Sequence, residues 1–395
     1  MKRKTKLELT RPLCVNGREV QINKAYTNQQ FVKPTTLADD IFTYVSFFYM
    51  THRKAMHYKN PLLKDEYGDA KQYDYEFYWK QAENFYQAYN SMPFETKPVA
   101  AYYCMLNAAK SYISYSSSSV DDFVEQFGTH GINESKSVEK SIIFDLDRIQ
   151  VKHKDKGVFP LMGRMLDKNF NEVWQTSKSY SLKQLLYNLC FVHRAYVLTY
   201  STRNKTEELF IPLYNKSVPT YYRGNDNKSY LVCFLDLKHC VKKGPVISSI
   251  STEFIESKDE YKNNEKPIDN KNVTIIRSKD GLPYYTDSIS KEIRCYNNMF
   301  RRNFVYIHGN SRMWYIKRTD LTSENIINLN STTINMAVMH RISEIARYKP
   351  EQLNRMLKSK EKWLIHEYIS NSLDQFIDEI SAEITKQEIM CSGMR

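Results

Sequence analysis

Only 11 of the 395 residues are glycine, and that scarcity removes whole classes of function. Phosphate-cradling loops need several glycines close together, and neither GxxxxGK followed by Ser or Thr nor GxGxxG occurs in the chain. A nucleotide-hydrolysing P-loop and a Rossmann cofactor site are therefore not expected, and no cofactor is. The seven cysteines, Cys14, Cys104, Cys190, Cys233, Cys240, Cys295 and Cys391, are odd in number and contain no CxxC pair. They read as reduced thiols. Cys233, His239 and Cys240 carry metal-capable atoms without a four-ligand spacing, so no metal site is expected either. Long apolar runs are missing too, the longest being Ile41 to Met50 and Val99 to Ala109. Neither spans a bilayer, and the basic N-terminus lacks a following apolar segment, so a cytoplasmic protein with no membrane contact is expected.

What is present is a globular chain, 42% hydrophobic and 26% charged, with an unusual 30 tyrosines and a formal charge of +12. At this length it can bury a full core in more than one module. The charge favours an anionic partner, nucleic acid before others, although the basic residues are scattered apart from Lys2-Arg3-Lys4 and Lys6. A solvated Lys-rich surface gives the same balance.

Periodicity is clearest from Tyr78 to Gly131. Tyr78, Ala82, Phe85, Tyr86 and Tyr89 share one side of a helix that Ser91-Met92-Pro93 ends. A second helix starts near Pro98, capped by Thr96 or Lys97, and buries Val99, Tyr102, Tyr103, Leu106, Ala109 and Ile113. A short amphipathic piece, Val120 to Phe127, is expected to close on a left-handed Gly128 before Thr129-His130-Gly131.

The run Ala82-Glu83-Asn84-Phe85-Tyr86, then Lys97-Pro98, Tyr102-Tyr103, Leu106-Asn107-Ala108-Ala109-Lys110 and His130-Gly131-Ile132 resembles the YaaC-like family of bacterial proteins in order and spacing. Val151 to Leu161, with Gly157-Val158-Phe159, and Arg347-Tyr348-Lys349-Pro350 are similar to later segments of that family. The resemblance touches both halves of the chain, is thin between about Tyr200 and Asn330, and has Ala346 where a small hydroxyl residue is expected. It implies a fold rather than an activity, because no established activity comes with the family.

In chain order, Leu7, Leu9, Val20 and Ile22 alternate around Asn16-Gly17 as a small hairpin would, and a helix follows from about Leu37 to His57. Lys59 to Tyr73 reads as a loop. Ser141 to Lys154 alternates as a strand, and Ser179 or Ser181 caps a helix over Leu182 to Tyr196. Glu208–Tyr214, Tyr230–Leu237, Val246–Glu256, Val273–Ser278 and Phe304–Arg318 read as an antiparallel sheet, its last hairpin turned at His308-Gly309-Asn310, with Lys258 to Asn272 a mobile loop. From Thr332 the pattern is helical to the end. The expectation is an α+β chain, mainly α, with a helical body formed by N- and C-terminal regions around an inserted antiparallel β region. The expected boundaries are 1–200, 201–320 and 321–395.

Four constellations have the residue types of chemistry. Asp236 with Glu256 and Lys258 matches a metal-dependent nuclease, two carboxylates for an ion and a lysine for the developing charge. A sheet edge running into a charged loop gives the same letters. Arg302 with His308, and Arg148 with His153, have the spacing used by helical ribonucleases of the HEPN type, but both lie in strand-like runs. His130 either acts as a base or phosphate contact, or ties its loop to the helix ends by hydrogen bonds, and the tying role is the expectation. The functional expectation is a non-enzymatic interaction or nucleic-acid-associated subunit, of an antiphage defence complex with other protein subunits; a nuclease is the alternative.

Overall fold

The computed structural model describes residues 9–30, 35–54, 57–62, 64, 75–134, 145–200, 209–236, 253–257, 273–283, 289–309, 313–319, 321 and 324–391. The protein is α+β, mainly α, with a helical body formed by N- and C-terminal regions and an inserted antiparallel β region. Residues 1–36, 202–323 and 386–388 form one compact unit, and residues 37–201, 324–385 and 389–395 form the other. The expected mobile loop at Lys258 to Asn272 and the basic start at Lys2 to Lys6 lie outside the described residues.

The β-rich unit takes in the N-terminal arm, which the expected boundaries had joined to the first helices. Leu9–Pro12 needs a partner for its backbone N–H and C=O groups and finds it antiparallel to Thr220–Gly224. The sheet then runs Thr220–Gly224, Lys228–Asp236, Val273–Ser278, Phe254–Glu256, each neighbour antiparallel. Side chains alternate faces along each strand. Leu231, Cys233 and Leu235 enter one apolar core with Tyr221, Phe254 and Ile276, while Tyr230 and Val232 pack with Leu9 and Tyr222 on the other face. A second antiparallel sheet, Phe304–Ile307, Met313–Lys317 and Phe210–Pro212, adds Tyr306, Trp314 and Ile316 to the first core. The expected Asn16-Gly17 hairpin is there: Cys14–Val15 pairs with Arg18–Glu19, and Asn16 and Gly17 have φ of 51° and 76°. Two positive φ values are what a tight two-residue turn between twisted strands requires. The helix Ile289–Phe300, to which the sequence reading assigns no element, places Ile293 and Phe300 in the same core.

In the helical unit, Asp40 caps Ile41–Thr51 by accepting a hydrogen bond from the Thr43 N–H. Tyr75–Ser91 and the central helix Lys97–Ser116 follow, the latter with Pro98 in its first turn. The central helix is buried on more sides than one apolar stripe predicts, Ala100, Ala101, Cys104, Met105 and Ala108 included. Its neighbours Tyr75–Ser91, Val158–Leu166, Ser331–Tyr348 and Lys362–Thr385 surround it. Polar side chains pin these contacts. Tyr49 Oη lies 2.7 Å from Ser111 Oγ, Trp79 Nε1 donates to the Phe42 carbonyl at 3.0 Å, and Tyr86 and Tyr89 donate to Asp374 and to the Ile369 carbonyl, both at 2.7 Å. Of the two expected caps it is Ser181 that serves, in a capping box with Gln184, but the helix stops at Tyr187 and restarts at Cys190. Of the expected strand from Ser141, residues 141–144 lie outside the described residues, and Asp145 caps a 3-10 turn, Leu146–Arg148, leaving Gln150–His153 as strand.

Leu106 lies in this core and is 5% exposed. Leu106→Ala should lower the stability of the helical unit by about 2–5 kcal/mol, the lost transfer free energy plus the cavity left behind. Chemical denaturation of the variant beside the parent protein measures it, and near-unchanged stability would remove Leu106 from the core.

Candidate functional site

The loop that carries His130 is built by two glycines in contact. Gly131 has φ +79° and Gly157 has φ +131°. A Cβ on Gly157 would lie 2.5 Å from both Cα and N of Gly131, and one on Gly131 would lie 2.4 Å from Pro160 Cδ. Left-handed closure thus falls at Gly131; Gly128 has no positive φ. Main-chain bonds hold the loop, with Lys154 N–H donating to the Gly131 carbonyl at 2.9 Å, and Val158 and Phe159 N–H donating to the Thr129 and His130 carbonyls at 3.1 Å. This overturns the expected tying role of the imidazole. Among the described residues the His130 ring makes aromatic contacts and no hydrogen bond, because the backbone already does the tying.

Around that ring stand residues from two helices. The central helix supplies Tyr102, 5.3 Å between ring centroids, and Tyr103, 6.4 Å. The helix Ser331–Tyr348 supplies His340, whose ring is 5.8 Å from His130 and 4.8 Å from Tyr102. One turn and two turns further on, at helical spacing, come Glu344 and Arg347. Arg347 donates to Tyr103 Oη at 3.1 Å, and its guanidinium sits 5.6 Å from the Tyr103 ring and 5.1 Å from that of Tyr348, which is 72% exposed. Phe85 stacks behind Tyr103 at 5.4 Å. Lys110, one face of the central helix below Tyr103, holds its ammonium 5.3 Å from the Tyr78 ring and 5.5 Å from that of Phe127.

The cluster has an outer and an inner layer. His130, Tyr103, Lys110, Glu344 and Arg347 are half-buried, whereas Tyr102 and His340 are buried. Among the described residues neither Tyr102 Oη nor His340 Nδ1 has a hydrogen-bond partner. Glu344 comes closest to the latter, at 3.6 Å, and also meets Arg341 at 3.2 Å. Burial, then the charges of Arg347 and Lys110, lowers the proton affinity of His130. Burial, then His130, Arg347 and Arg341, pushes His340 down to about 3. Both rings are therefore neutral near pH 7 beside fixed cations.

A stability consequence follows with a definite sign. The unfolded chain protonates a histidine near pH 6.5, before folded His340 does, so stability is full above that pH and falls as pH drops toward about 3. His193, pushed by burial to about 4, adds to the same loss. His340→Phe keeps a ring beside Tyr102 and should flatten the acid limb, one proton fewer being taken up on unfolding. Denaturation midpoints from pH 7 to pH 4 check this, and an unchanged slope would refute it.

The remaining sequence candidates are not brought together. Glu256 and Cys233 both lie opposite Ile276, which puts Glu256 on the face of the first core. Asp236 is three residues beyond Cys233 and therefore points to the opposite face, about 14 Å from Glu256 by ordinary strand spacings. These carboxylates cannot share an ion, Lys258 lies outside the described residues, and no group of three metal-capable side chains occurs among those described. Arg302 lies in the turn Arg301–Asn303 and His308 follows the strand Phe304–Ile307, so they share no helix. His153 is buried with its two ring nitrogens 2.6 Å from the Lys154 and Trp174 carbonyls, a structural role. His239 and Cys240 lie outside the described residues, and no disulfide joins the other six cysteines among the described residues.

His340 and Glu344 escaped the sequence reading, and Arg347 entered it only as part of the family resemblance. Their signal was a polar stripe at 3-4 spacing on a helix otherwise read from Ile334, Val338, Ile342 and Ile345. The segments around Tyr102-Tyr103, His130-Gly131 and Arg347-Tyr348, far apart in the chain, converge on this one place. They also carry the resemblance, and a family model, YaaC-like Protein, matches residues 38–384. The chain belongs to the YaaC-like family. No curated protein and no solved structure matches it. None of the described helices is long and apolar enough to cross a membrane.

Proposed function

We propose that this YaaC-like protein is a nucleic-acid-associated protein that contacts phosphate at the His130, Lys110 and Arg347 cluster. The observation that carries the reading is the pairing of cations with exposed aromatic faces. Arg347 lies between Tyr103 and Tyr348, Lys110 stands on the same helix as Tyr103, and the nearby carboxylate of Glu344 already faces Arg341. Single-stranded nucleic acid is bound by this combination, cations tracking the backbone and aromatic rings stacking bases. The net charge of +12 supports the same class of partner.

Binding of short single-stranded RNA and DNA, followed by fluorescence anisotropy while salt is raised, tests it. Affinity should fall along a straight line of log K against log salt, and differ little between unrelated sequences. Salt-insensitive binding, or no binding at low salt, would refute the reading.

A second reading, cleavage of RNA, has its own observation: an imidazole kept neutral beside a phosphate-binding cation is the arrangement of a general base. Products from an end-labelled RNA in the presence of a metal chelator separate the two. A subunit role in a bacterial antiphage complex belongs to the same proposal and is tested by proteins that co-purify from the native host.

A further inference from the structure

Resting on the reading above, we infer that the site takes a terminal phosphate, the monoester of a nucleotide, rather than an internal phosphodiester. The cluster's hydrogen-bonding capacity does not end at its half-exposed rim. Tyr102 Oη and His340 Nδ1, on side chains 0% and 2% exposed, have no hydrogen-bond partner among the described residues and stand beside Tyr103, His130 and Arg347. Such groups cost stability when nothing meets them, and these two stand on rings whose centroids are 4.8 Å apart. Both feel the charge of Arg347. The charges of Arg347 and Glu344 act on the Tyr102 phenol, those of Arg347 and Arg341 act on His340, and those of Arg347 and Lys110 act on His130.

The chemistry of the ligand follows from depth and charge. An internal phosphodiester has chain on both sides of phosphorus and only two unesterified oxygens, which suits a cation at a surface. A terminal phosphate has three, and one can reach past the rim to Tyr102 Oη and His340 while others meet Arg347 and Lys110. Arg347 and Lys110 bring positive charge to His130, whose ring, like that of His340, is neutral near pH 7. Two cations at the rim suit a monoester dianion, whose second ionisation lies near pH 6. Exposed Tyr348 is placed to stack on the base that carries the phosphate.

Anisotropy with one oligonucleotide sequence ending in 5′-phosphate, 3′-phosphate or hydroxyl groups tests this on the full-length protein. One end-phosphorylated form should bind roughly ten- to hundredfold more tightly than the hydroxyl form, the worth of one charge-assisted hydrogen-bonded contact set. Tyr102→Phe should remove most of that difference with an unchanged or raised melting temperature, since it deletes a buried hydroxyl that has no protein partner. A merely structural Tyr102 would not change the preference for phosphorylated ends. Adenosine monophosphate and inorganic phosphate serve as competitors. Displacement by the monophosphate at the oligonucleotide's own concentration would keep the monoester and assign its source to free nucleotide. Equal affinity for all three ends, with Arg347→Ala still weakening each, overturns the terminal-phosphate inference alone. Absence of binding by oligonucleotides and monophosphate alike overturns it together with the reading it rests on.

Discussion

Gly157→Ala should lower the stability of the helical unit by about 3 kcal/mol or more and take the His130 loop with it. Two independent costs add at this position. The residue sits at φ +131°, where side chains other than glycine's are strained, and a Cβ would meet the Gly131 backbone at 2.5 Å, which only a shift of the loop can relieve. That shift breaks the bonds from Val158 and Phe159 N–H to the Thr129 and His130 carbonyls. Gly128→Ala is the control, because it has no positive φ and nothing within 4 Å of its Cβ position. Thermal melts of the two variants should differ widely, and equal melting temperatures would mean that the glycine contact does not shape the loop.

Arg347→Ala should weaken binding of single-stranded nucleic acid by about tenfold or more at low salt, the cost of one charge-assisted contact, and reduce the salt slope by about 0.7 to 0.9. The arginine is half-buried beside two tyrosines, so its removal costs the fold chiefly the hydrogen bonds to Tyr103 Oη and to the Ser343 carbonyl. Arg347→Lys should keep the slope and lose part of the affinity, since lysine neutralises a phosphate without a planar fork that stacks. Titrations of the three proteins at several salt concentrations give both quantities. A slope unchanged in the alanine variant would take Arg347 out of contact with phosphate.

Most helices were legible because their signals are local. Pro98, the serine cap at Ser181 and the apolar spacing of Ile334, Val338 and Ile342 each act within a few residues. The membership of the arm was not, since Leu9–Pro12 becomes a strand only by pairing with Thr220–Gly224, some two hundred residues away in sequence. Asp236 and Glu256 misled for the same reason, because the register that places them on opposite faces runs through Ile276 on a third strand. The site was half legible. His130, Tyr102, Tyr103 and Arg347 stood in segments already quoted for the family resemblance, but nothing in a linear pattern says that a loop and two helices meet. His340 was hidden best, on a helix read from its apolar spacing, and its place appears only once Tyr102 and His130 are beside it.

Photo-crosslinking of a single-stranded RNA to the full-length protein, with the attached residues mapped by mass spectrometry, tests the central claim most directly. The account predicts crosslinks at Tyr103 and Tyr348, the aromatic faces flanking Arg347, and their loss in Arg347→Ala. Crosslinks confined to other residues, undiminished in that variant, would contradict it.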